Sequence, residues 1–164
     1  MTDEKTLREI RMIASELCVS QLKFNVGENC LWNCIMLKDI VRYVYNIELQ
    51  LKFVYIHYHR KFSETELADV WCSHVVCTLK DDDNVIDPSA DNFVNALGKS
   101  EYYLHKPVAI REATKDQKAG VTESTCINPK EIKSAEELEQ DERGIRKSVE
   151  VVNSGGKYEI SGGE

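Results

Sequence analysis

The chain has 164 residues, 42% hydrophobic and 30% charged, which fits one globular domain with room for an appendage. Its net charge of −7 is spread over both halves without a basic stripe, so no nucleic acid is expected as a partner. Met1 to Lys5 carries no hydrophobic signal core and no apolar run approaches the roughly 18 residues of a membrane span, so a cytoplasmic protein without a membrane partner is expected.

The six cysteines are Cys18, Cys30, Cys34, Cys72, Cys77 and Cys126. Without a leader the compartment is expected to be reducing, which favours buried thiols over three disulfides. Cys30-x3-Cys34 and Cys72-x4-Cys77 approach the spacing of zinc ligand pairs. The first pair falls on a helix, however, and the second on opposite faces of a strand. No metal or cofactor is therefore expected.

Residues from about Thr2 to Cys18 follow a helical pattern, with Leu7, Ile10, Ile13, Ala14 and Leu17 on one face. Thr2 or Asp3 can cap its start. A loop from Val19 to Glu28 contains Gly27, and Asn29 can cap a second helix from Cys30 to Tyr45. That helix has a broad apolar face interrupted at Lys38, and Asn46 suits a left-handed stop.

Glu48 to His59 alternates as a strand, with Leu49, Leu51, Phe53, Tyr55 and His57 on one side. Val70 to Leu79 is a second strand, and Val85 to Asp87 is a short third one ended by Pro88. Ser89 to Leu97 reads as a short helix closed by Gly98, and Glu101 to Ile110 as a further strand.

The composition shifts after about Arg111, where Tyr158 is the sole remaining aromatic residue. Asn128-Pro129 can open a marginal helix that runs to about Gly144. Val149–Val152 and Lys157–Ile160 flank Asn153-Ser154-Gly155-Gly156 as a hairpin would, with a partly disordered tail as the alternative. The expected division is a core over 1–110 and a polar C-terminal extension over 111–164. The expected class is α+β, with N-terminal helices packed on an antiparallel sheet.

Three residues in this order carry chemistry. Cys30 stands where a glycine-containing loop becomes a helix, and unpaired N–H groups there favour a thiolate. Its backbone N–H is a candidate oxyanion donor, with Asn25 as a second. Cys34 lies one turn further in, on the core face, and is the weaker nucleophile. His74 opens an apolar stretch of strand and is the candidate base. Asp87 is the candidate group that orients it.

Register is the test of that triad. A two-residue turn centred on Asp82-Asp83 places Asp87 opposite Thr78, four residues from His74 and about 13 Å away. A His74–Asp87 bond needs the turn centred nearer Lys80-Asp81, or a bulge.

Gly27-x-x-Cys30 entering a helix, His74-Val75-Val76 opening a strand, and Val85-Ile86-Asp87-Pro88-Ser89 after an acidic turn resemble the transglutaminase-like branch of the papain-like cysteine enzymes. The resemblance covers roughly residues 20 to 92. It departs at Val76, where the family often has an aromatic residue, and at Leu31-Trp32, where the large residue often follows the cysteine directly. The resemblance implies a papain-like core and a cysteine-nucleophile enzyme acting on an amide or acyl substrate. Cys30, His74 and Asp87 would be its triad, and a protein or peptide its substrate. The alternative is a catalytically inactive papain-like module that binds a protein partner.

Overall fold

The computed structural model describes residues 2–23, 30–61, 67–82, 84–89, 96–105, 121–125 and 135–156. Among these the elements are α1 (Glu4–Lys23), α2 (Cys30–Tyr45), β1 (Leu49–Lys61), β2 (Leu67–Leu79), β3 (Ala96–Tyr103), β4 (Val121–Thr125) and α3 (Ala135–Asn153). The sheet order is β3-β1-β2-β4. β1 pairs antiparallel with both β2 and β3, as the expected α+β class requires. β4 departs from the expected antiparallel sheet by running parallel to β2.

α1 begins at Asp3, whose Oδ1 accepts the Thr6 N–H at 2.9 Å. It continues past Cys18 to Lys23, because neither proline nor glycine intervenes before Gly27. α2 has the bounds its pattern predicts and ends at Asn46, which adopts φ 53° while its N–H bonds the Arg42 carbonyl. Lys38 interrupts the apolar face but is itself buried. Its ammonium pairs with Glu48 and donates to the Leu49 carbonyl, which satisfies the charge inside the fold.

One core joins these elements. Ile10 and Ala14 of α1, Leu31, Leu37 and Val41 of α2, and Leu49, Leu51, Val75 and Cys77 of the sheet pack with Val149 and Val152 of α3. Fully burying an aliphatic side chain such as Leu37 contributes about 2 kcal/mol.

The C-terminal third departs most from expectation. The helix there runs from Ala135 to Asn153, so Gly144 lies inside it and Val149–Val152 is helical rather than the first strand of a hairpin. Ile145, Val149 and Val152 share one helical face, and that face meets the core. Gly155, at φ 82°, ends the helix. Its N–H bonds the Val152 carbonyl and the Gly156 N–H bonds the Val151 carbonyl, a Schellman closure where a hairpin turn was expected. Lys157–Ile160 and Asn128-Pro129 lie outside the described residues.

Other corrections lie nearer the site. Ala96 and Leu97 belong to β3, not to a helix closed by Gly98, and β3 ends at Tyr103. Val85–Asp87 makes a single bridge, Ile86 to Cys77, rather than a strand. Pro88 follows immediately and has no N–H to extend the ladder.

α3 also repairs the sheet. β3 pairs with β1 from Tyr55 to Arg60, and among the described residues no strand flanks the start of β1 on that side. Asn153 fills part of the gap, its Oδ1 accepting the Leu51 N–H and its Nδ2 donating to the Leu51 carbonyl, both at 2.8 Å. Higher up, the Arg146 guanidinium sits 4.0 Å from the Phe53 ring centroid, and the Tyr55 hydroxyl donates to Glu142 at 2.9 Å. Asn153→Ala is expected to destabilise the protein by about 1–2 kcal/mol in urea unfolding, because two strand-like bonds vanish together.

Candidate active site

β2 carries the centre of the site. Its register against β1 sets Val54 opposite His74, so His74 lies well inside the sheet. The far edge of β2 is occupied in two places: β4 pairs from Asp69 to Ser73, and Ile86 bridges Cys77. Polar backbone groups alternate along a strand, so the Val75 carbonyl faces the same edge as those of Cys77, in the gap between the two partners. α2 fills that gap. The Cys34 thiol donates to the Val75 carbonyl at 3.3 Å, and the Cys77 thiol donates to the Cys34 carbonyl at 3.6 Å.

The Cys77–Ile86 bridge fixes the register of the following segment. A reverse turn at Leu79–Asp82 closes with the Asp82 N–H on the Leu79 carbonyl. Counting one residue past the bridge sets Asp87 level with Val76, two residues from His74 rather than four. The bridge puts the midpoint of the pairing between Asp81 and Asp82, one residue past the tight turn centred on Lys80-Asp81, and the remaining offset of about 6.6 Å along the strand is within side-chain reach. His74 Nε2 and Asp87 Oδ2 meet at 2.9 Å.

The pair is taken almost wholly out of water, with side-chain exposures of 1% for His74 and 4% for Asp87. The carboxylate has further partners. Its Oδ1 accepts the Ser89 N–H at 2.8 Å, and Oδ2 also accepts the Tyr102 hydroxyl at 2.9 Å. Burial by itself pushes the Asp87 carboxyl up, but the His74 charge, the His74 hydrogen bond and the Ser89 and Tyr102 donors outweigh it and hold the group below the usual aspartate range. Burial first, then the Asp87 charge, pushes the Tyr102 phenol far up, so it remains a donor.

Asp-Pro-Ser is tied down from the helix side as well. Asn33, fully buried in the first turns of α2, donates from Nδ2 to Ser89 Oγ at 2.8 Å. One helix thus touches both the strand bearing His74 and the segment bearing Asp87.

Cys30 is the first residue of α2 and is 8% exposed. Burial pushes the Cys34 thiol well up, with Cys77 adding to the effect, so Cys34 stays neutral and is unsuited to nucleophilic attack. Asn25 lies outside the described residues. Cys18, Cys30, Cys34 and Cys77 are thiols rather than disulfides. Among the described residues no group of three or more His, Cys, Asp or Glu side chains is arranged to hold a metal, and no helix is long and apolar enough to cross a membrane.

Sequence reasoning singled out His74 and Asp87 but missed Tyr102 and Asn33. Tyr102 carries no local signal, since it is one aromatic residue in an ordinary strand pattern. Asn33 could have been suspected as a polar residue in the middle of an apolar helix face.

No family model matches this chain, and the comparisons with curated proteins and with solved structures likewise returned no match.

Asp87→Asn is expected to cost about 2 kcal/mol near neutral pH, the scale of hydrogen bonds to a charged group. The depressed folded pKa of Asp87 makes its contribution complete above the ordinary aspartate value of about 3.9, and the contribution is lost as pH falls through the folded value. The parent protein should therefore lose stability toward acid faster than the variant, and the gap between their urea midpoints should close below about pH 4.

Proposed function

We propose that the protein is a cysteine-nucleophile enzyme acting on an amide or acyl group, with Cys30 as nucleophile, His74 as base and acid, and Asp87 as the group that orients the ring. The observation that carries this reading is the buried His74–Asp87 pair at 2.9 Å. A histidine held by a carboxylate through Nε2 presents Nδ1 to the opposite side, as a proton shuttle requires.

The course of α2 supports Cys30 as the partner of that nitrogen. Cys34 lies against Val75 and Cys77, while Lys38 reaches Leu49, which pairs with Leu79. α2 therefore runs in the same sense as β2. One turn back from Cys34 is about 6 Å of helix, which matches about two strand residues and brings Cys30 toward the level of His74.

The chemistry follows from that placement. The helix N-terminus and a neighbouring imidazolium both stabilise a Cys30 thiolate. The thiolate attacks the carbonyl carbon, and the Cys30 backbone N–H, at the helix start, is the candidate donor to the oxyanion. His74 gives its proton to the leaving group, and an acyl-enzyme thioester remains. Water or an amine, deprotonated by His74, then releases the acyl group as acid or amide and restores the thiol. A papain-like, transglutaminase-like core and a protein or peptide substrate in the cytoplasm complete the proposal.

The 8% exposure of Cys30 favours a second reading, an inactive papain-like module whose site is closed and whose surface binds a protein. Alkylation separates the two. Iodoacetamide at pH 6, followed by peptide mass spectrometry, should label Cys30 roughly 100-fold faster than Cys34, whose thiol burial holds in the neutral form. His74→Ala should remove most of that advantage. Slow labelling of Cys30, indifferent to His74, would overturn the enzyme reading and leave the binding module.

A further inference from the structure

Tyr102 belongs to none of the motifs that suggest a triad, yet it reaches the carboxylate of that triad from the other side of β1. We propose that Tyr102 is a positioning residue for the His74–Asp87 pair, its hydroxyl fixing the Asp87 carboxylate and limiting how much of that charge reaches the ring. The catalytic consequence rests on the thiol-enzyme reading above, whereas the hydrogen-bond arrangement does not.

The Asp87 carboxylate offers two oxygens to three donors. Oδ1 takes the Ser89 N–H, while Oδ2 takes both the His74 ring and the Tyr102 hydroxyl, each at 2.9 Å. Two donors on one oxygen share its negative charge, so the bond to His74 is weaker than an unshared one and the imidazolium is less favoured. The tyrosine also has a steric task. A cavity of about 300 Å³ adjoins the site, with Arg11, Ser15 and Cys18 of α1 facing Ile86, Asp87 and Tyr102. Arg11 is a competing cation across that space. The Tyr102 ring lines that space beside Asp87, so Tyr102→Phe removes the hydroxyl while keeping the wall between the carboxylate and Arg11.

The titratable and charged groups around Asp87 come from four elements: His74 of β2, Tyr102 of β3, Cys34 of α2, which senses the Asp87 charge, and Arg11 and Cys18 of α1 at the cavity. Tyr102 alone among them shares Oδ2 with the ring.

The test is a double-mutant cycle read by NMR titration of the His74 ring, assigned with His74→Gln. Tyr102→Phe keeps the aromatic wall, and thermal melts confirm that it folds. Tyr102→Phe should raise the His74 midpoint by about half a pKa unit or more, because the whole Oδ2 charge then faces the ring. In the Asp87→Asn background the same substitution should have no effect. An unchanged midpoint in Tyr102→Phe, an equal shift in both backgrounds, or a ring that does not titrate in any variant would each overturn the inference. Slow Cys30 alkylation in the parent protein would instead overturn the enzyme reading without touching these titrations, so the two failures are distinguishable.

Discussion

A carboxylate removed from water must be repaid in hydrogen bonds and opposite charge, and Asp87 is where this fold meets that demand. His74, Ser89 and Tyr102 surround it, and each comes from a different place: the middle of β2, the turn after Pro88, and β3. No local segment could assemble that set. The arrangement holds only if β1 and β2 keep their register, β3 docks on β1, and the connection after Leu79 turns at the right residue. A fault in any of these would strand a charge in the interior, so the site and the sheet are specified together.

α2 is the element that closes this arrangement. Among the described residues the Val75 carbonyl stands at an interruption in the β2 edge, and the Cys34 thiol donates to it there. Asn33, on the same turn, secures Ser89. The burial that suits Cys34 to this packing task also raises its pKa. Two cysteines one turn apart thus occupy different environments: one in the ladder-bonded interior of the helix, the other at its N-terminus.

The C-terminal third shows how one composition can support two structures. Val149-Glu150-Val151-Val152 followed by Ser154-Gly155-Gly156 has the β-branched residues and glycines of a hairpin. It also has Ile145, Val149 and Val152 at helical spacing, and that face packs into the core formed by α1, α2 and the sheet. Tertiary burial decides for the helix, and the glycines then stop it through a left-handed Gly155. Asn153, which would sit near the tip of a hairpin, instead bonds both backbone groups of Leu51 as a neighbouring strand would.

Local chemistry in the sequence determined much of this protein. The start and stop of α2, the Asp3 cap, the Asn46 stop, the pairing of two long strands and the choice of His74 and Asp87 all follow from residues within a few positions of one another. Only the tertiary structure decided the rest. The pairing midpoint between Asp81 and Asp82 depends on where Ile86 meets Cys77, and several acidic positions in that run could have turned equally well. Tyr102 joins the site because β3 lies beside β1, a long-range pairing that no local pattern encodes. Register and strand order are set by burial summed over the whole sheet, which is why the identity of the pair was legible in the sequence and its geometry was not.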